Sequence, residues 1–421
     1  MSSPNRGAKI CQFATAVAIA AFIASGNEAA GQTRLSPSIA LSHRYDSNVL
    51  FGVAGPENIK EDFVTTVTPQ VTVMNKNAYF DGTIIGGLTA ETYVNNPGLN
   101  YVGFNANMVL ALDRTIQQLA KRATLSITEA FRFTPQLPAF AAPTDAQNAI
   151  DPAIVRGFQA ARANSYTITH GANVGYNFTP STKWLNTYSH STLRFGTAFA
   201  QPGSGGAFFS TTYQTVTSSL THKITALDTL GFTYNYALAN YGSGNTGINQ
   251  YETHTGRGTV THAFNPYWTI AVGGGAVYLP AQAPGTTSIV THVEDATLSY
   301  RDQLTAGSLG YSRSVIPSFG VGSAPMVNEN LYASLSQGFG PKWTAMVSGY
   351  YGTAQSNPRG LLSYTSISGT ASLSYAIRRD TAMNLIASLS YSRQEFDQSF
   401  NNVGFSFNRD LAMFNLSAAW Y

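Results

Sequence analysis

Histidines are the first residues to test for chemistry, because both metal binding and nucleophilic catalysis recruit them. The chain has seven, and five follow a threonine: His170, His222, His254, His262 and His292. A metal centre would need several of them to converge from different segments, and their spacing does not impose that. Hydrolytic, zinc and phosphate motifs of the GxSxG, HExxH, CxxC and P-loop types are absent from the sequence. Gly242-Ser243-Gly244 lies in a loop-like stretch and does not join a strand to a helix, so it does not read as a phosphate cradle. An enzyme acting on lipid would need Ser, His and an acid aligned on one strand face. The reading is a protein without enzymatic activity, cofactor or metal.

The charges say more. Arg44 stands opposite in parity to Ile39 and Leu41, Glu91 to Leu88 and Ala90, Arg132 to Phe131 and Phe133, and Arg194 to Leu193 and Phe195. In a strand, successive side chains point to opposite faces, so each charge belongs to the face its apolar neighbours avoid. If those strands enclose a lumen, these four residues line it. They then either tune permeation or stiffen the wall through ion pairs.

The elements that position them are strands. Val102, Phe104, Ala106, Met108, Leu110 and Leu112 form one face, and Tyr101, Gly103, Asn105 and Asn107 the other. The same alternation recurs around Leu125, Tyr166 and Leu230. Charged residues are 11% of the chain, against roughly 25% in soluble domains. No stretch beyond residue 31 reaches 18 consecutive apolar residues, so spanning helices are not expected. Low charge without long apolar runs fits strands with one face in lipid and one in a polar lumen.

Both ends of the chain agree. Ala412, Phe414, Leu416, Ala418 and Trp420 alternate up to the final Tyr421. Such a strand is a hazard as a free edge but is harmless if it closes a barrel by pairing with the first strand. Phe414, Leu416, Trp420 and Tyr421 are accordingly read as the signal presented to a barrel assembly machinery. At the other end, Arg6 and Lys9 precede an uncharged stretch from Ile10 to Asn27 with an apolar core from Ala14 to Ala24. This is the layout of a secretory signal peptide over residues 1–31, cleaved after Gly31 or Gly26. Cys11, the single cysteine, falls inside it. Removing Arg6, Lys9 and Glu28 from 24 basic and 21 acidic residues leaves the remainder near +2. That argues against nucleic acid as a partner.

Short polar turns alternate with long loops rich in Gly, Pro, Ser and Asn. Short turns on one side and long loops on the other are the pattern of a bacterial outer-membrane barrel. Eight short turns between residues 75 and 380 give nine hairpins and 18 strands in a single domain over residues 32–421. Sixteen strands is the alternative. Asn408-Arg409-Asp410 also resembles a turn, but accepting it gives an odd count. One long last strand, with a β-bulge where the apolar face changes parity after Phe407, resolves this. Asp151 and Pro152 could open a short helix in the longest loop.

The stretch from Pro37 through Tyr45-Asp46-Ser47-Asn48-Val49, followed by Asp62 and Thr68-Pro69-Gln70-Val71, resembles the opening of the β-barrel porin 2 family. The chain departs from that family in ending Trp420-Tyr421, where Phe is more usual. The resemblance implies an outer-membrane barrel of a Gram-negative bacterium, associated with exopolysaccharide export or cell-surface assembly. Its partners would then be outer-membrane lipids, polysaccharide and periplasmic export components. A plugged structural or adhesion barrel, and a membrane-embedded lipid hydrolase, are the competing functions.

Overall fold

The structure is a computed structural model that describes residues 32–49, 60–136, 163–198, 211–241, 250–281, 288–317, 325–356, 362–400 and 403–421. The expected signal peptide, and most of the segment expected to hold a loop helix, lie outside them. Eighteen strands form one antiparallel sheet in which each pairs with its sequence neighbours, and the first pairs with the last. The strands are β1 (Gln32–Asp46), β2 (Asp62–Lys76), β3 (Asp81–Tyr93), β4 (Tyr101–Ala111), β5 (Ala123–Gln136), β6 (Ala163–Asn177), β7 (Thr182–Ala198), β8 (Thr211–Lys223) and β9 (Asp228–Tyr241). They continue as β10 (Gln250–Ala263), β11 (Trp268–Leu279), β12 (Ile289–Arg301), β13 (Thr305–Pro317), β14 (Pro325–Phe339), β15 (Trp343–Ser356), β16 (Leu362–Arg379), β17 (Met383–Phe400) and β18 (Val403–Trp420). The closing seam runs from Ser38↔Ala419 to Asp46↔Leu411. No backbone edge is left open there, which is what a strand structure in lipid requires.

Six of the eight short connections reuse one device. A short polar side chain opens the turn and accepts the backbone N–H groups that start the next strand. Asn77 Oδ1 takes Tyr79 and Phe80 at 2.8 and 2.9 Å. Asn265 Oδ1 takes Tyr267 and Trp268 at 2.8 and 2.9 Å. Thr179 and Thr225 do the same through their hydroxyls. Asp302 accepts from Leu304 and Thr305, and Asp380 from Ala382 and Met383. The Asp302 carboxyl is held below the usual carboxylate range by the Tyr300 hydroxyl and by those two amides. Arg378, then the Met383 and Ala382 amides, hold Asp380 low. Two connections differ. Between β14 and β15 the chain turns through Gly340 at φ 70°, a conformation glycine reaches without a Cβ clash. Between β4 and β5 sits helix α1 (Asp113–Leu119), where the sequence suggests only a loose turn. Asp113, its first residue, ties the helix to β5 by accepting the Leu125 amide at 2.8 Å.

Outward faces are apolar and exposed: Leu41, Leu88, Val102, Leu230, Phe232, Val347 and Leu389 among them. An apolar belt around a closed barrel is an outer-membrane surface, with short turns and both strand termini on the periplasmic side. The expectation of a β-bulge in the last strand is corrected. β17 and β18 pair without a register shift from Met383↔Trp420 to Phe400↔Val403. The parity change is genuine but has another cause. Near the loop side the inner face itself turns aromatic, and Phe407 stacks on Phe396 at 5.2 Å inside the barrel. A register shift does occur between Ala376 and Arg378 in β16, at the periplasmic end.

Candidate functional site

Register and alternation place every second residue on the inner wall. Much of that wall is hydroxyl. Ser308, Ser334, Ser348, Thr370 and Ser392 form one row across β13 to β17. The Ser308 and Ser334 hydroxyls are 2.8 Å apart. Farther round, Asn173 donates to Ser126 at 3.1 Å and accepts from Thr187 at 2.8 Å. Serine and threonine suit this position because they are short enough to leave a lumen and can satisfy one another sideways.

Charge on this wall is mostly paired. Arg44 reaches across β2 to Glu91, donating at 3.0 and 3.2 Å. Thr66 and Tyr93 also donate to Glu91, at 3.2 and 2.8 Å. The arginine and glutamate side chains are only 18% and 11% exposed. The structure thus brings together two of the four residues singled out from the sequence. A second pair, Arg257–Asp295, joins β10 to β12 across β11. A Cβ on Gly273 would lie 2.6 Å from both partners, so the glycine is what lets the pair lie flat on the wall. Sequence reasoning missed this pair. Its signal was the run Gly273-Gly274-Gly275 in an otherwise apolar-alternating strand.

Arg132 aligns with Asn105 and Thr167, on the face opposite Phe131 and Phe133. Those two rings pack on the exposed Phe104, at 4.9 and 5.7 Å. Arg132 is exposed, and among the described residues no ion pair involves it. Arg194 is a correction. It aligns with Tyr166 and shares a face with Trp184 and the exposed Tyr188, so it points outward. Its neighbour Leu193 is the buried, inward residue. The cause is the one met in β18: near the mouth the inner face is itself apolar, so parity to an apolar residue no longer identifies the lumen.

The Tyr45-Asp46-Ser47-Asn48-Val49 stretch builds a clasp at the loop end of the seam. Asp46, 1% exposed, accepts from Arg409 Nε and Nη2 at 2.9 and 2.5 Å. It also accepts from the Asn48 amide at 3.1 Å. The Ser47 amide donates to the Asp410 carbonyl at 3.0 Å, and the Asp410 amide donates to Ser47 Oγ at 2.8 Å. Val49 is buried with Val64, Tyr93 and Leu99. Asp62 holds the next connection by accepting the Asn95 and Asn96 amides at 2.9 Å each. The segment that resembles a turn, Asn408-Arg409-Asp410, is therefore the strand half of this clasp.

At the periplasmic end, Phe414 aligns with His43 and Leu389, and Leu416 with Leu41. Trp420 aligns with Met383 on the outer face. The Tyr421 amide donates to the Ala382 carbonyl at 3.1 Å, and its ring lies 5.5 Å from the Arg34 guanidinium carbon. Among the described residues no group of three or more His, Cys, Asp and Glu side chains is arranged to hold a metal ion.

No family model and no curated protein matches the sequence. The likeness to the β-barrel porin 2 family therefore stands as far as a porin-type barrel. Among solved structures the chain is similar to Pseudomonas aeruginosa OccK2 (OpdF) in complex with glucuronate, at 11% identity and a TM-score of 0.50. That match covers 92% of this chain and 98% of the other. Pseudomonas aeruginosa OpdK with vanillate matches at 11% identity and a TM-score of 0.48, covering 92% and 99%. Acinetobacter baumannii OccAB4 matches at 12% and 0.47, covering 92% and 99%. These are Gram-negative outer-membrane porins. At such identity the first of them shows a common fold, the closed 18-stranded outer-membrane barrel.

Proposed function

We propose that the protein is an outer-membrane channel for uncharged hydrophilic solutes, and that its cargo class is saccharide, up to polysaccharide chains leaving the cell. The observation that carries this reading is the wall: rows of hydroxyls with its arginines largely neutralised by acids. Such a surface exchanges hydrogen bonds with a polyol in any register and offers no strong ionic trap along the way. The porin-type fold supports the channel, and the polysaccharide cargo rests on the wall chemistry.

Planar-bilayer recording of the purified protein tests both parts. Conductance is expected, reduced by millimolar neutral oligosaccharide added to one side. Arg132→Glu should shift selectivity toward cations, whereas the outward Arg194→Glu should not. An absence of conductance, unchanged by deleting residues 137–162, would favour a plugged structural barrel. Conductance insensitive to saccharide but sensitive to small anions would remove the polyol cargo.

A further inference from the structure

The outer face of β5 to β7 carries ionisable side chains where the belt should be apolar. Glu129, His170 and His190 occupy one register row. Each lies near the middle of its strand. On the same face of β5 and β6 their neighbours are Ile127, Phe131, Ile168 and Ala172. His170 Nδ1 contacts Glu129 Oε2, and the His170 and His190 rings are stacked with centroids 6.1 Å apart. The Glu129 and His170 side chains remain 40% and 41% exposed, so the surrounding chain does not cover them. Ionisable groups facing lipid at this depth are costly and mark contact with something other than acyl chains. Other outward charges are placed differently. Arg393 stands beside Glu395 and Asp410, Arg313 beside Glu329 and the His292–Glu294 pair, and Glu252–His254 and Asp228–His262 lie near strand ends. The β5–β7 row contains no arginine or lysine.

We propose that a second copy of this chain covers this face, in a twofold dimer whose axis runs along the membrane normal past His170. Half a turn about that axis exchanges β5 and β7. Glu129 of one copy then faces His190 of the other, and the reverse contact forms at the same time. A row with an acid at one end and an imidazole at the other is self-complementary under this operation, as an isologous interface must be. With strands tilted by about 40°, the row climbs only about 6 Å from Glu129 to His190, within reach of the two side chains. A lipid tail has no hydrogen-bonding group to offer here, and headgroups sit at the belt's edge.

The test uses the full chain with Cys11→Ser and one added cysteine, cross-linked in native outer membranes by a short bis-maleimide. Ile168→Cys lies beside the axis, and Leu389→Cys on β17 is the distant control. A band of twice the chain's mass is expected at 168 and absent at 389. His190→Glu, read on the 168 background, should cut that band at least fivefold by placing acid against acid. Adding Glu129→His should restore it. Heat-modifiable mobility on gels shows that each variant is assembled. If His190→Glu does not assemble, Glu129→Gln is read for the same loss. No band at 168, an equal band at 389, an adduct of another mass, or a band indifferent to the charge reversal would each overturn the proposal.

Discussion

Replacing Asp46 with alanine should cut deeply into the stability of the closing seam. The carboxylate is 1% exposed and accepts two hydrogen bonds from Arg409 and one from the Asn48 amide. The Arg409 side chain is itself only 13% exposed. Removing one partner of a buried ion pair costs about 3–5 kcal/mol, because the other charge stays behind without its counter-charge. The orphaned amide adds about 1 kcal/mol. Since the two losses overlap, we expect about 4 kcal/mol, near a thousandfold in the folding equilibrium. The measurement is urea unfolding in lipid vesicles, followed by tryptophan fluorescence and by gel mobility. Arg409→Ala should cost a similar amount, and the double variant clearly less than the sum, with a coupling above about 1.5 kcal/mol. Tyr45→Phe is the internal control, since its hydroxyl bonds Glu61 on the exposed outer face and should be worth about 0.5 kcal/mol. Single variants below about 1 kcal/mol, or strict additivity, would refute the clasp.

Three further outcomes follow from the geometry. Ala106→Arg, outward at the middle of β4, should cost roughly 2–4 kcal/mol, while the adjacent Asn107→Arg, facing the lumen, should be tolerated. Met108→Arg should cost less than Ala106→Arg, because Glu129 is its cross-strand neighbour. Equal stabilities for Ala106→Arg and Asn107→Arg in vesicle refolding would undo the face assignment. Deleting Trp420 and Tyr421 should sharply lower the assembled, heat-modifiable protein, since the pairing with Met383 and the bond to Ala382 are lost with them; an unchanged amount would show the ending to be incidental. Asp302 and Asp380 are held low in the folded chain, so their turns gain stability above the unfolded carboxyl's pKa, near 4, and lose it as pH falls through the lower folded value. Amide exchange at Thr305 and Met383 should therefore quicken only at strongly acidic pH, and Asp302→Asn and Asp380→Asn should flatten that dependence.

The strand count, the closed barrel and the side of the short turns were legible because period-two alternation and turn chemistry are local. Asn77, Asn265, Asp302 and Asp380 announce their turns within four residues. The pairing of Arg44 with Glu91 was half legible: both were placed on the inner face, but their meeting depends on the register of β1 to β3. Arg194 and the last strand show where the method fails. Alternation separates two faces without saying which is inside, and the label was borrowed from apolarity. Around Leu193, Phe396 and Phe407 the inner face is apolar too, so the label inverts. Arg257–Asp295 left only an indirect trace, the run Gly273-Gly274-Gly275 in the strand between its two partners. The Glu129, His170 and His190 row needed two registers at once.

The seam has a consequence for the order of events in folding. Every hairpin joins strands that follow one another in the chain, but Asp46 and Arg409 are 363 residues apart. Bringing such distant ends together from a disordered chain costs about 5 kcal/mol of configurational entropy. The cost falls only as the intervening sixteen strands are already laid down side by side and curled. The first and last strands must therefore meet late, and until then the nascent sheet has two sticky rims. A catalyst that holds one rim while the other approaches would act on this step above all others. The clasp, formed by residues that touch only after the ring is complete, works as a latch that distinguishes a finished molecule from one still open.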